Sequence, residues 1–234
     1  MTDSVSYEFA DSVATITLDD GKVNVLGPAM QAAINGALDR AEADKAKAVV
    51  LAGNSRVFSG GFDLSVFQSG DAAAALGMLS GGFELSLRTL TFPAPVIIAA
   101  TGPAIAMGSF LLLSGDHRIG QPKSRCQAIE VAIGMTIPIS ALEIMRARLT
   151  PAAFERAAAL ATTFAGADAV AAGWLDEIVD ADQVLPRAQQ VAAEVAATLH
   201  TGAHLATKLK ARKGAIGAIQ AGIDGLAEEF TLGT

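Results

Sequence analysis

Two glycine-rich loops carry the residues of this sequence that are best suited to chemistry. The first covers residues 57–64 (VFSGGFDL) and the second covers residues 102–110 (GPAIAMGSF). Paired glycines let the backbone approach a ligand closely and leave N–H groups pointing outward. Amides at a helix N-terminus have no intrahelical partner and favour negative charge. Together the two loops could therefore form an oxyanion hole, a set of amides that stabilises a developing negative oxygen.

Predicted buried strands precede both loops. Residues 48–51 (AVVL) and 95–100 (PVIIAA) are continuous apolar runs, as in parallel sheets whose two faces are covered. The second loop leads into residues 107–113 (MGSFLLL), which we predict to be a buried helix. Neither loop has the spacing of a Walker A or Rossmann fingerprint, so nucleotide binding of those kinds is excluded.

The rest of the chain divides into a part rich in strands and a helical part. A strand is predicted near residues 127–129, and from Ile139 onward the pattern is helical almost throughout. We therefore predict an α/β fold that works as a single functional domain. Its core would cover residues 1–190, and a helical C-terminal extension over residues 191–234 would serve assembly.

The composition excludes several classes of function. The chain has 234 residues, 51% of them apolar, and a formal net charge of −7. Its mean hydropathy of +0.41 predicts a large core rather than a disordered chain. A chain with this net negative charge lacks the clustered Lys and Arg side chains that binding to a nucleic acid requires. The single cysteine, Cys126, excludes a Cys-rich zinc site, and His200 and His204 have no evident third ligand, so no metal is expected.

One uncharged stretch, residues 89–115, is long enough to cross a bilayer. Prolines and glycines break it into short pieces, so we expect a buried core segment and no membrane partner. Residues 1–11 carry acidic side chains and lack the apolar run of a signal peptide, which favours a cytoplasmic protein.

Five ordered motifs resemble those of the crotonase superfamily, the enoyl-CoA hydratases and isomerases. They are FSGGFDL at 58–64, PVI at 95–97 with Gly102 and MG at 107–108, DHRI at 116–119, EVAIG at 130–134 with IP at 137–138, and AAGWLDEIV at 171–179. The resemblance covers about residues 7–230 and is strongest to short actinobacterial members. It implies a ClpP/crotonase-like spiral of β-β-α units with a helical C-terminal region, assembled as a homotrimer or a dimer of trimers.

The resemblance also implies roles for individual residues. It assigns the two oxyanion-hole N–H groups to Phe62 and Met107. Of the family's two catalytic carboxylates, one falls on Glu130 and the other falls on Phe110, which is not an acid. Moving a double bond from position 3 to position 2 needs one carboxylate, whereas adding water uses two in this family. We therefore favour isomerisation of an unsaturated fatty acyl-CoA through a thioester enolate, with Glu130 as the base.

Two alternatives stay open at this point. One is hydration of a 2-enoyl-CoA, for which Asp63, Asp71 or Glu84 would have to supply the missing acid. The other is a catalytically degraded crotonase that only binds acyl-CoA.

Contacts with the acyl-CoA are predicted around both loops. Lys22 resembles a family position near the adenine and phosphates, and Arg56 is a second candidate for phosphate pairing. The predicted contact residues are Lys22, Val23, Val25, Arg56, Ser59, Gly61, Asp63, Gly108 and Phe110. CoA is part of the substrate, so no separate cofactor is expected. The basic cluster formed by Lys208, Lys210, Arg212 and Lys213 is interpreted as a solvated helix face.

Overall fold

A computed structural model describes residues 4–232 of the chain. The strands are β1 (Val5–Ala10), β2 (Val13–Leu18), β3 (Ala48–Ala52), β4 (Val96–Ala100), β5 (Ala104–Ile105), β6 (His117–Gly120), β7 (Cys126–Gln127) and β8 (Glu177–Ile178). The helices are α1 (Pro28–Ala43), α2 (Leu64–Gln68), α3 (Ala72–Thr91), α4 (Met107–Leu113), α5 (Ile139–Arg146), α6 (Pro151–Leu160), α7 (Gly166–Ala172), α8 (Val184–Thr198), α9 (Thr201–Ala211), α10 (Lys213–Asp224) and α11 (Leu226–Leu232). Short 3₁₀ helices span Glu130–Ile133 and Ala181–Gln183.

Six strands form one sheet in the order β1-β2-β3-β4-β6-β8. The first two are an antiparallel hairpin, and every later pair of neighbours is parallel. Side chains of β4 alternate between two cores. Ile97 packs with the apolar face of α8, whereas Ile98 packs with the larger core beneath α1, α3 and α4. Because helices cover both faces, β3 and β4 read as continuous apolar runs, and both predicted strands are confirmed.

A second, two-stranded sheet pairs β5 with β7 in parallel. An isolated bridge joins Ser59 to Ala104 on β5, so the first glycine-rich loop lies beside this small sheet. The strand predicted near residues 127–129 is displaced, because β7 ends at Gln127 and the chain turns into the 3₁₀ helix at Glu130. After that turn, Glu130 lines a cavity that residues of both glycine-rich loops also line.

The C-terminal helices pack onto the same chain. Helix α8 crosses residue 190 and covers one face of the main sheet, while α10 packs against α5 and α3. Gly222 permits the close approach of α10 to α5, since a Cβ there would lie 2.5 Å from the backbone nitrogen of Ser140. Within residues 4–232, none of the helices combines the length and apolarity that crossing a membrane requires.

The interpretation of the basic cluster as a solvated face is wrong for two of its members. Lys208 is buried, and its Nζ lies 2.7 Å from Oδ2 of Asp116 and donates to the backbone oxygen of Phe92 at 3.0 Å. Arg212 reaches the other carboxylate oxygen of Asp116, also at 2.7 Å. These contacts tie α9 and α10 to the start of β6, whereas the neighbouring Lys210 remains exposed. The sequence pattern missed them because the partner carboxylate, that of Asp116 just before β6, is distant along the chain.

Candidate active site

The two glycine-rich loops meet at the edge of the small sheet. The backbone N–H of Ile105 donates to the oxygen of Ser59 at 3.0 Å. Gly61 has φ of +96°, and a Cβ there would lie 2.8 Å from the Cβ of Ala106. A Cβ on Gly108 would lie 2.5 Å from the oxygen of Ser59. Both glycines are therefore required by the close approach of one loop to the other.

Two backbone amides at this junction are without hydrogen-bond acceptors among the described residues. One belongs to Phe62, and the other belongs to Met107, the first residue of α4. A Cβ on Gly61 would lie 3.3 Å from the nitrogen of Met107, so the two loops bring these amides into the same region. Ala106, which precedes Met107, adopts φ of +50° and ψ of −129°. Such a backbone costs roughly 1–3 kcal/mol and is typical of functional sites. Sequence reasoning missed it, since no residue type marks it.

A cavity of about 670 Å³ opens at the same junction, and its wall is mainly apolar. Its aromatic lining residues are Phe62, Phe67, Phe83 and Phe110. The ring of Phe83 packs edge to face with Phe62 at 6.1 Å and stacks on Phe110 at 6.2 Å. Concave apolar walls with few polar groups are typical of sites for small organic ligands. Phe110 is thus part of this aromatic wall and leaves no carboxylate at its position.

Glu130 contributes a buried carboxylate to the cavity wall. It is 8% exposed, and its Oε2 atom has no hydrogen-bond partner within residues 4–232. Gly134 ends the short 3₁₀ helix in the left-handed conformation with φ of +82°, and the N–H of Met135 returns to the backbone oxygen of Glu130 at 2.9 Å. Burial raises the pKa of Glu130 from 4.5 to about 7, opposed in part by a hydrogen bond from its own backbone. Near neutral pH this carboxyl can therefore both accept and donate a proton.

The structure separates the three acids that the sequence offered as substitutes for the missing carboxylate. Asp63 lines the cavity, but its Oδ1 caps α2 by accepting from the N–H and the hydroxyl of Ser65. Asp71 caps α3, and Glu84 accepts from the hydroxyl of Ser80 on the same helix. The described part of the chain contains no group of three or more His, Cys, Asp or Glu side chains arranged to hold a metal ion.

Sequence reasoning missed one carboxylate in the cavity wall, that of Glu229 on α11. Its Oε2 accepts from the N–H of Ile139 at 3.1 Å, and its Oε1 is buried without a partner among the residues described. Leu226 and Phe230 line the cavity beside it. The spacing of these three residues places them on one helix face, which is the sequence signal that could have identified Glu229.

The predicted CoA contacts occupy three positions around the cavity. Val23 and Val25 line it, together with Phe62, Asp63 and Phe110. Lys22 and Arg56 are exposed at one turn, where the Arg56 guanidinium donates to the oxygen of Gly21 at 2.9 Å. The three small residues that lie behind the wall are Ser59, Gly61 and Gly108. Of these, Ser59 is fully buried and donates its hydroxyl to the backbone oxygen of Asn24 at 2.8 Å.

Comparison with known proteins identifies the family. Residues 8–221 match the enoyl-CoA hydratase/isomerase family. A putative enoyl-CoA hydratase from Thermus thermophilus is 30% identical over 202 residues, which cover 84% of this chain and 79% of that protein. An apo enoyl-CoA isomerase structure from Mycobacterium tuberculosis has a TM-score of 0.95 at 55% identity and covers 98% of this chain and 100% of that one. An enoyl-CoA hydratase structure from Mycobacterium marinum has a TM-score of 0.94 at 56% identity, with coverages of 97% and 99%. The crotonase fold and the actinobacterial resemblance are confirmed, and this chain belongs to the enoyl-CoA hydratase/isomerase family.

Proposed function

We propose that this enzyme converts 3-enoyl-CoA into 2-enoyl-CoA, with Glu130 as the group that moves the proton. The observation that carries this proposal is the buried carboxylate of Glu130 in an apolar cavity, at the junction that holds the two amides without acceptors. Phe110 supports it, because a carboxylate at that position would be expected of a site that adds water.

In the proposed reaction, the thioester oxygen accepts hydrogen bonds from the N–H groups of Phe62 and Met107. The ionised carboxylate of Glu130 removes a proton from C2, and the C–H electron pair delocalises over C2, C1 and the thioester oxygen as a dienolate. The same carboxyl then returns the proton to C4, and the double bond forms between C2 and C3. A donor in such an oxyanion hole contributes on the order of 10² to 10³ in rate. The pKa of about 7 suits Glu130 to both proton transfers.

The apolar wall supports binding of the acyl chain beside the phenylalanines. Lys22 and Arg56 lie exposed at one turn, so we assign the CoA phosphates to them. Val23, Val25 and Asp63 would contact the pantetheine and thioester, while Ser59, Gly61 and Gly108 shape the loops from behind. CoA arrives as part of the substrate, and the proposed chemistry uses no further cofactor.

Hydration of 2-enoyl-CoA is the second candidate function. The similar M. tuberculosis structure is described as an isomerase, and the similar M. marinum structure is described as a hydratase. The observation in this chain that favours hydration is a further carboxylate in the cavity wall besides Glu130 and Asp63, that of Glu229.

We also propose a homotrimer or a dimer of trimers, in which the helical region 191–234 takes part. Exposed apolar side chains support an assembly, since Val131, Ile133, Met135 and Ile139 are exposed in the single chain. Within the helical region, Leu199 and Leu209 are exposed as well. Light scattering should give three or six times the chain mass of 23.8 kDa. A mass of one chain would contradict the proposal.

The test of the isomerase assignment uses purified protein with a 3-enoyl-CoA and follows the absorbance of the conjugated 2-enoyl thioester. The wild type should raise the absorbance, and Glu130→Gln should lower the rate by about 10² to 10⁴ while still binding the thioester. Glu155→Gln, an exposed glutamate on α6, is the matched control. Binding without turnover by the wild type, over several chain lengths, would instead support the acyl-CoA-binding alternative.

A further inference from the structure

We propose that Gly82 on α3 is a positioning residue for the two amides that hold the thioester oxygen. It seats the side chains of Phe62 and Met107, whose N–H groups are those two amides. Gly82 is buried behind the cavity wall, so it acts through these two side chains and not on the substrate. This inference rests on the proposed function, since it requires the thioester oxygen to bind at the amides of Phe62 and Met107.

The first argument is the contact that a side chain at position 82 would make. A Cβ on Gly82 would lie 2.6 Å from Cε1 and 2.8 Å from Cζ of the Phe62 ring, and 3.3 Å from Sδ of Met107. Non-bonded carbon atoms pack at about 3.5–4.0 Å, so even alanine would displace the ring. The thioether of Met107 yields more easily, because methionine has three rotatable bonds. Side chains from both glycine-rich loops thus rest on the same point of α3, where only glycine leaves room for the Phe62 ring.

The second argument is that neighbouring rings hold the Phe62 ring in place. It packs edge to face with Phe67 at 6.2 Å and 85° and with Phe83 at 6.1 Å and 77°. Phe83 is itself fixed, because it is 1% exposed and stacks on Phe110. A Cβ on Gly82 would push on the tip of a ring that is held by two neighbours. The displacement therefore passes to the backbone of Phe62 and moves its N–H.

The third argument comes from another glycine on the same helix. Helix α3 also contains Gly77, where a Cβ would meet no heavy atom within 4 Å. Glycine weakens a helix interior relative to alanine, and at Gly77 the packing of the described residues does not require it. At Gly82 the seat of the Phe62 ring does require it. Gly77→Ala is therefore a matched control, because it is the same substitution in the same helix without the contact.

The test compares Gly82→Ala with Gly77→Ala, with Phe62→Leu and with the double variant Gly82→Ala/Phe62→Leu. Phe62→Leu keeps the backbone N–H but removes Cε1 and Cζ, the two ring atoms beside Gly82. The first readout is kcat and KM for 3-enoyl-CoA. Urea unfolding shows that each variant is folded in the assay.

The second readout is the carbonyl stretching frequency of bound hexanoyl-CoA, isotopically labelled at its carbonyl carbon. Hydrogen bonds from the two amides lower this frequency. Because this thioester is saturated and cannot isomerise, the readout does not depend on turnover.

We expect Gly82→Ala to lower kcat by about 10 to 10², with KM changing by less than about threefold, because misplaced donors weaken the transition state more than the bound substrate. The lowering of the carbonyl frequency should be smaller than in the wild type, while Gly77→Ala should match the wild type in both readouts. Phe62→Leu removes the seated part of the ring and should weaken the carbonyl shift as well. In that background Gly82→Ala should lower kcat by less than about threefold further, because the atoms that it would displace are gone.

Four results for the variants would overturn the role of Gly82. They are a wild-type kcat and carbonyl frequency in Gly82→Ala, a raised KM at unchanged kcat in that variant, a full carbonyl shift in Phe62→Leu, and a loss from Gly82→Ala that is undiminished in the Phe62→Leu background. The second would mean that Gly82 sets the space for the substrate rather than the place of the amides.

Two results for the wild type separate this inference from the proposed function. A wild type that lowers the carbonyl frequency but does not isomerise would remove the proposed isomerase function, and the carbonyl frequencies of the variants would still decide the role of Gly82. A wild type that leaves the carbonyl frequency unchanged would overturn the role of Gly82 and the oxyanion hole together.

Discussion

Replacing Glu130 with glutamine is expected to stabilise the folded protein above neutral pH even though it removes the proposed base. Burial raises the pKa of this carboxyl from 4.5 to about 7, and the side chain is 8% exposed, so solvent screens it little. Because one pKa unit corresponds to about 1.4 kcal/mol, keeping the ionised form in the fold costs roughly 3 kcal/mol. A neutral side chain of the same shape does not incur this cost.

The folded state binds this proton more tightly than the unfolded state does. The stability contributed by protonated Glu130 is therefore fully present below the unfolded pKa of 4.5 and is lost as the pH rises through about 7. Glutamine has no proton to lose. The free energy of unfolding of the Glu130→Gln variant, relative to that of the wild type, should therefore rise by roughly 2 to 3 kcal/mol from about pH 5 to about pH 8.

Urea unfolding at both pH values, at one protein concentration, measures this difference. Glu155→Gln is the control, and its stability relative to wild type should change by less than about 0.5 kcal/mol over the same range. If Glu130→Gln also stayed within that limit, the carboxyl would not be buried in its ionised form and its assignment as a poised base would be lost.

Three further predictions follow from the same geometry. The kcat/KM for isomerisation should rise about tenfold per pH unit below about 7 and level off above it, because the base must be ionised, and a pH–rate profile will show whether it does. Gly61→Ala should lower the free energy of unfolding by at least about 2 kcal/mol and kcat by about 10², since its Cβ would lie 2.8 Å from the Cβ of Ala106 at a positive φ. Urea unfolding and steady-state kinetics measure the two effects, and wild-type values for both would show that the junction is looser than the structure indicates. Lys208→Met should lower the free energy of unfolding by about 3 kcal/mol, because it removes one of the two cations that pair with the carboxylate of Asp116, whereas the exposed Lys210→Met should cost little. Thermal melting measures both variants, and equal melting temperatures would contradict the buried pair.

Much of the fold could be predicted from the sequence because its causes are local. The apolar runs of β3 and β4 predicted strands covered on both faces, and the apolar run at residues 107–113 predicted the buried helix α4. The predicted short strand starts one residue and ends two residues later than β7, because the chain leaves the strand at Gln127 and turns into the 3₁₀ helix at Glu130. Local pattern indicates which face is buried but not where a two-residue strand stops.

The candidate site, like the fold, could be predicted from the sequence only in part. Five ordered motifs, among them those that hold Gly61, Phe62 and Glu130, were sufficient to identify the family. The sequence also showed directly that position 110 carries a phenylalanine and not an acid.

Three features were decided only by the tertiary structure. The backbone of Ala106 is held at a positive φ by the loops around it, and the charge of Lys208 is buried because Asp116 lies beneath it. Glu229 shares a cavity with Glu130 because α11 folds back over the start of α5. Sequence alone indicated the family through the resemblance of its motifs, and it indicated the longer apolar strands and helices because their periodicity is local. Only the packed chain determined which side chains line one cavity, because distance along the chain carries no information about neighbours across a cavity.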